Sequence, residues 1–461
     1  MRRFGIDIEV QCVPPLDTDF IPMVQFDRAF LRTARHALTV AVERADGQRS
    51  LKRTRIHGTE QMREADNYYI DRLVKNLLWT KGGFRIYTDD KAVYDYLKNA
   101  YCAGGSRAFD AQFMSEVYER PFEVIWTDVM PQEKHTPQAV GGHWEGCRIG
   151  FDAGGSDRKV SAVKDGAVVF SEEVVWFPKE HADPAYHYEG IVSALQAAAA
   201  HLPRVDAVGI SSAGVFVNDR TMVSSLFRKV PRAEYDRRVK NIYLRAVHDT
   251  FGDIPCRVVN DGDVSALCGA MSLQEKNILG IAMGTSEAAG FVDGDGCITG
   301  WLNELAFAPV DAAGGAAVDE WSGDRGCGGS YFSQEAVIRL AQRAGVVWAE
   351  SLPPAEKLKT VQSLMAQDDP RAAQVYESIG VYLGHTLAYY AESYPCRYVL
   401  LLGRVMSGKG GDLIVKTAKN VLQREYPALA DTIHPVLPDE NFRRVGQAVA
   451  AASLPAGRSN A

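Results

Sequence analysis

Two stretches of this chain follow one plan. Residues 150–163 read GFDAGGSDRKVSAV and residues 282–292 read AMGTSEAAGFV: in each, an apolar run enters a turn of glycine and small hydroxyl residues and leaves as a second β-prone run. Short β-branched runs alternating with amphipathic stretches predict α/β layers for everything after about residue 142. CRIGFDAGG, KVSAVKDGAVVFSEEVVWF and DAVGISSAG are expected as successive strands with tight turns, with a helix at 190–201 between the last two. After Pro255 the order becomes strand CRVVND, helix DVSALCGAMSL, strand ILGIAM and strand FVDGDG. The two series share no identity repeat, only the plan of strand, glycine-rich turn and strand.

The first 140 residues differ. They are rich in Arg, Tyr and charged residues, with helical periodicity at 26–42 and 60–78. Further helices are expected at 91–101 and 109–118, and strands at FRIY and FEVIW. PQEKHTPQAVGG, residues 131–142, reads as an exposed connection. The expected division is therefore an N-terminal α/β extension over 1–140, a first lobe over 145–258 completed by a C-terminal helix at 443–455, and a second lobe over 259–440. A chain of 461 residues is long enough for several cores.

Composition removes several classes of function. The formal net charge of -7 offers no summed positive field for a nucleic acid backbone or an anionic bilayer. No apolar stretch is long enough to span a membrane, and Met1, Arg2 and Arg3 are not followed by a signal-type apolar run, so a cytoplasmic protein is expected. The 8 cysteines are scattered without a CxxC pair and read as reduced thiols. His135, His143, His181 and His187 lie in polar or loop contexts and read as exposed.

Phosphate binding needs backbone N–H groups close to anionic oxygens, and glycine permits the approach and a positive φ. On this reading Gly154, Gly155 and Ser156 form one phosphate turn, beside which Asp152 could orient a hydrated Mg2+. An ordinary hairpin accounts for that turn about equally well. Gly284, Thr285 and Ser286 form the second turn, and two such turns are what a cleft gripping a triphosphate from both sides would use. In RVVNDGDVSALCGA a β-branched strand delivers Asn260 and Asp261 to a helix start. Asp261 or Asp263 could be a helix cap, yet phosphotransfer to an alcohol needs a carboxylate that accepts the hydroxyl proton, and Asp261 is the candidate.

Two other motifs fail. Gly403, Gly408 and Lys409 fit GxxxxGK, but Gly410 stands where a P-loop needs Ser or Thr. A glycine-lined ledge beneath an adenosine, or plain helix-start packing, explains Gly403, Ser407 and Gly408 better. GISSAG lacks the second glycine of a hydrolase nucleophile elbow.

In order, DAGGSDRKVSAV, GISSAG, VVNDGDVSALCGA, GIAMGTSEAAGFV, LLLGRVMSGKGG and RVGQAVAAASL resemble the ROK family of sugar kinases and regulators over about residues 147–455. The resemblance implies two actin- and hexokinase-like lobes closing over sugar and ATP. It assigns Asp261 as the base, and Asn260, Glu304, Ser212 and Gly214 to the sugar side. It assigns Asp152, Gly154, Gly155, Ser156, Gly284, Thr285 and Ser286 to phosphate and Mg2+, with Gly403, Ser407 and Gly408 by the adenosine.

The chain departs from the family where sugar and zinc are bound. Glu304 is kept in NELAF, but Phe307 replaces the expected histidine. In EWSGDRGCGGSYFS, Glu320 and Ser322 replace two cysteines, leaving Cys327, so no structural zinc is expected. Gly329 stands in place of a sugar-binding glutamate. Removing polar partners from a site built to bind hydroxyls changes its preferred substrate, so glucose is not assigned. The expected partner is a small sugar or polyol, without nucleic acid or membrane, and a homodimer is compatible. A non-catalytic carbohydrate sensor or scaffold, with the N-terminal segment as its interaction module, is the alternative, and an ATPase activator of the same fold ranks below both. No recognition helix with concentrated basic residues is evident in residues 1–140, which disfavours the repressor branch.

Overall fold

The computed structural model describes residues 1–136, 140–349, 351–438 and 440–457, with only the backbone considered for 440–445. Positions 137–139 of the expected connection, and 350 and 439 within the expected second lobe, lie outside the described residues, as do the side chains of 443–445.

Five strands form the first sheet, in the order Cys256–Asn260, Ala207–Ser212, Cys147–Ala153, Asp157–Lys164, Ala167–Val175. The first three are parallel and the last two antiparallel. Helices Pro184–Ala199 and Ile242–Phe251 pack beside it over Ile149, Phe151, Ile191, Leu195, Ile210 and Tyr243. Register matters for function: Ser211 pairs with Asp152, and Ser212 with Asn260. The C-terminal ends of three parallel strands therefore deliver polar side chains to one edge, where open α/β sheets bind ligands.

The second sheet runs Glu287–Val292, Ile278–Met283, Tyr398–Leu402, His434–Val436, the first pair antiparallel and the others parallel. Each sheet thus contains a hairpin across a glycine-rich turn. Helix Asp261–Leu273 lies against the second sheet so closely that a Cβ on Gly290 would fall on the backbone of Asp263. The C-terminal helix Glu440–Ala452 returns to the first sheet, where Cβ atoms on Gly150 and Gly209 would overlap the carbonyl oxygens of Ala448 and Ala451. Glycine is needed there for space.

The N-terminal segment holds a sheet of Arg49–Ile56, His36–Glu43, Arg85–Thr88 and Glu123–Trp126 with helices Met23–Thr33, Arg63–Lys81, Lys91–Ala100 and Ala108–Tyr118. Its apolar side chains form one continuous core with the second lobe, from Phe26, Phe30, Val74 and Trp79 to Phe291, Phe307 and Tyr394. The helix expected over 26–42 ends at Thr33, and 36–43 is a strand. HALTVAVE is β-branched and alternates, and pairing on both sides settles it as sheet.

Between segment and second lobe lies a buried ionic network. Asp324, in the 319–327 loop, accepts from Arg72 at 3.0 and 3.1 Å, with Lys75 at 3.3 Å and Arg107 at 2.6 Å. Arg107 also pairs with Asp71, and Lys75 and the Trp79 indole both donate to Asp110. Phe307 packs on Trp79 with ring centroids 4.3 Å apart. The loop and turn that depart from the family are thus fastened by the N-terminal segment. Among the described residues no helix is long and apolar enough to cross a membrane.

Candidate active site

Asp152 stands one residue before the end of the strand that enters the first glycine-rich turn and is 7% exposed. Burial pushes its carboxyl up to about 7; a 2.7 Å hydrogen bond donated by Ser211 Oγ opposes that rise, and the charge of Asp261 adds to it. Gly154 and Gly155 do not have positive φ. Gly154 is small for another reason: a Cβ there would sit 2.7 Å from the Asp157 carbonyl, whereas one on Gly155 would meet only the flexible end of Lys179, 2.9 Å from its Nζ. Ser156, expected to donate to phosphate, donates instead to Asp157 Oδ2 at 2.9 Å.

Asn260 is the cap of helix Asp261–Leu273. Its Oδ1 accepts from Gly262 N at 2.7 Å and its Nδ2 donates to Gly214 O at 2.7 Å. The cap is therefore neither Asp261 nor Asp263, and Asn260, expected to bind a sugar hydroxyl, spends both ends of its amide on backbone. The same bonds fix the position of Asp261, one residue on, beside the helix N-terminus. Asp261 is partly open to the cleft; burial pushes its carboxyl above the ordinary range, and Lys179 is the cation that opposes this.

Across from it, Glu304 opens the turn Leu305–Phe307, its N–H donating to Trp79 O at 2.9 Å. Burial, then Asp261, then Asp263 push its carboxyl up to about 7. Asp263 is 6% exposed and accepts from Phe291 N and Asn303 Nδ2; burial takes it up to about 7. Glu287, behind Glu304, is 3% exposed, with neither carboxylate oxygen hydrogen-bonded to a described residue. The charge of Asp261 thus reaches Asp152, Asp263 and Glu304, and that of Asp263 reaches Glu304, with Lys179 at the phosphate-turn end.

Ser212 does not join them. It is fully buried and shares a 2.7 Å hydrogen bond with Tyr243 OH inside the first lobe, because successive residues of a strand point to opposite faces and Ser211 takes the one toward Asp152. His187, expected on the surface, is buried too, with Nε2 2.9 Å from Pro178 O.

Gly284, Thr285 and Ser286 form an exposed turn closed by Gly284 N donating to Ser286 O at 3.0 Å. Gly403 has φ +94°, and a Cβ there would strike the carbonyl of Met283, immediately before that turn. Only glycine allows the strand Tyr398–Leu402 to leave the sheet at this point, which places the exposed Ser407 and Gly408 on the same rim. Lys179, Asp263 and Glu287 were not assigned to the site from sequence: Lys179 lies in no motif, Asp263 sits in RVVNDGDVSALCGA but read only as a helix-cap candidate, and Glu287 sits in AMGTSEAAGFV beside the turn residues without being singled out.

Two lobes of this topology, each containing a hairpin at a cleft lined by acidic residues, define an actin- and hexokinase-like α/β protein. The family model of the ROK family matches residues 148–441, and the chain belongs to that family. No curated protein sequence matches it. Among solved structures, the ROK hexokinase from Thermus thermophilus is 18% identical with a TM-score of 0.51, over 66% of this chain and 96% of that one. A ROK-family transcriptional regulator, a homologue of the E. coli MLC protein, is 15% identical with a TM-score of 0.54, over 84% of this chain and 96% of its own. Both likenesses concern the fold.

Proposed function

We propose that this protein is a cytoplasmic ATP-dependent kinase that phosphorylates a hydroxyl group of a sugar or sugar-like molecule, with Asp261 as general base. The observation that carries this reading is the placement of Asp261. It stands at a helix N-terminus, its charge acting on Asp152 at one glycine-rich turn and on Glu304 at the turn Leu305–Phe307, with its own carboxyl raised by burial. A base whose pKa is lifted toward the working pH is suited to accepting a hydroxyl proton.

In the proposed step Asp261 takes the proton as the acceptor oxygen bonds to the γ-phosphorus; the bond to the bridging oxygen breaks, and ADP leaves. Gly154, Gly155 and Ser156, with Gly284, Thr285 and Ser286, offer backbone N–H groups to the phosphates, and Gly403, Ser407 and Gly408 form the ledge for adenosine. Asp152 fits a hydrated Mg2+, held through water, because its buried carboxylate has one oxygen held by Ser211; the ion would supply charge neutralisation of the phosphates. Glu304 orients the acceptor, and Asn260 positions the base. Closing of 145–258 with 443–455 onto 259–440 excludes water.

Isothermal titration with a non-hydrolysable ATP analogue and Mg2+, with and without a panel of sugars, tests the reading. Nucleotide binding that is lost in Asp152→Ala and tightened by one acceptor class is expected. A non-catalytic carbohydrate sensor is the second reading, favoured by Phe307 being packed among aromatic rings; absence of nucleotide binding would select it.

A further inference from the structure

A cavity of about 170 Å3 opens beside Asn260 and Asp263, and the N-terminal segment forms its outer wall. Its lining includes Arg44, Gln48 and Tyr118 from that segment, Gly214 from the first lobe and Trp301 from the second. Arg44 follows the strand His36–Glu43 and enters a tight turn in which Asp46 and Gly47 take positive φ, so its side chain is carried into the seam between segment and lobes.

Arg44 is 6% exposed. Its guanidinium makes one long hydrogen bond, 3.5 Å from Nη2 to Thr299 O, and no ion pair with a described residue. None of the carboxylates nearby pairs with it: Glu43 holds Arg49 and Arg85 at 2.9 Å each, Asp219 holds Arg257 at 3.0 Å, Asp263 accepts from Phe291 N and Asn303 Nδ2, and Asp46, on the exposed side of the cavity, makes no ion pair with Arg44. A second buried cation, Lys81, lies over the face of Trp301 and donates to Ser393 O, and after burial its largest perturbation is repulsion from Arg44. A buried guanidinium without an anion is costly unless a partner supplies one. Its planar fork suits a carboxylate or phosphate, which it grips with two parallel bonds.

We propose that this cavity binds an anionic group, carboxylate or phosphate, carried by the acceptor, and that Arg44 selects for it. The inference rests on the kinase reading for the identity of the ligand as acceptor. It gives the N-terminal segment a place beside the site: the cavity reaches Asn260, the residue before Asp261, so a ligand whose acidic end meets Arg44 has its polyol end directed toward Asp261. The substrate class becomes acidic sugars, either sugar acids or sugar phosphates.

The test is titration of the full-length protein with matched sets of ligands: a neutral aldose, its aldonic and uronic acids, and its phosphate ester. At least one acid is expected to bind about tenfold or more tightly than its neutral parent, the worth of one charge-assisted hydrogen bond. A preference confined to the carboxylates or to the phosphate identifies the anion. Arg44→Gln is expected to abolish the preference while keeping the thermal midpoint and the affinity for the ATP analogue. Arg44→Lys, which keeps the charge without the fork, is expected to weaken it, and serves if the glutamine variant does not fold. Equal binding of neutral and acidic ligands, a preference that survives Arg44→Gln, or no binding of any acid would overturn the proposal. Loss of nucleotide binding alone would instead overturn the kinase reading, since an Arg44-dependent preference for acids needs no ATP.

Discussion

Ser211 donates its hydroxyl hydrogen to Oδ1 of Asp152 at 2.7 Å, across two parallel strands whose register sets the residues side by side. The bond favours the ionised carboxylate, against burial and the charge of Asp261, which both favour the protonated form. Ser211→Ala should therefore move the Asp152 titration above about 7 and leave more of it protonated at neutral pH. Affinity for Mg2+ with the ATP analogue is expected to fall about tenfold at neutral pH and to recover in alkaline buffer, since a hydrogen bond to a charged group is worth roughly 1.5–3 kcal/mol. Titration calorimetry across pH checks it.

Asp261→Asn should lower turnover by about two to four orders of magnitude, the usual contribution of a general base. Nucleotide affinity and fold should persist, since the amide is isosteric and the lost charge was disfavoured by burial. In the unaltered enzyme the base must be deprotonated, so turnover rises with pH, and the rise lies above the ordinary aspartate range near ~3.9. A steady-state pH profile with a coupled ADP assay measures both effects.

The 319–327 loop depends on one carboxylate. Although burial alone would raise it, Arg72 and then Lys75 hold Asp324 below the ordinary range. Asp324→Asn leaves three cations facing a neutral amide and should cost about 3–5 kcal/mol, read from denaturant unfolding. The sign with pH follows: a depressed folded pKa gives stability that is present above the unfolded value of about 3.9 and is lost as pH falls through the folded value. Asp152, Asp263 and Glu304, each raised to about 7, act oppositely, and their contribution is lost as pH rises toward 7.

Gly150→Ala and Gly209→Ala should each push the C-terminal helix off the first sheet, because the added methyl groups meet the Ala448 and Ala451 carbonyls. Overpacking of this kind costs about 1–3 kcal/mol or more. Thermal midpoints should fall for both, whereas Gly252→Ala, at a site with no neighbour within 4 Å but φ +74°, should pay only the smaller strain of its backbone.

The family, the order of strands after residue 142 and the two glycine-rich turns were legible because local runs of β-branched residues and glycine fix strands and turns over a few residues. Position along such a run also placed Asp152 and Asp261, the one a residue before its strand ends and the other a residue after. Side-chain direction was not legible. Ser211 and Ser212 are alike in sequence and both fully buried, and only pairing with Asp152 on one face and Tyr243 on the other decides which of them supports the cleft carboxylate. Asn260 reads equally as ligand or cap until Gly214 is seen to accept from it. Residues 36–43 change from expected helix to strand because two neighbouring strands pair with them. Arg44 and Lys179 carry no local signal, and Glu287, although inside the second glycine-rich motif, shows nothing there of its burial, because their surroundings come from segments far away in the chain. What the sequence determined by itself was therefore the order of elements after residue 142 and the family; the tertiary structure decided the strand at 36–43 and which side chains meet, because strand pairing, burial, charge coupling and shared faces arise only when distant segments pack.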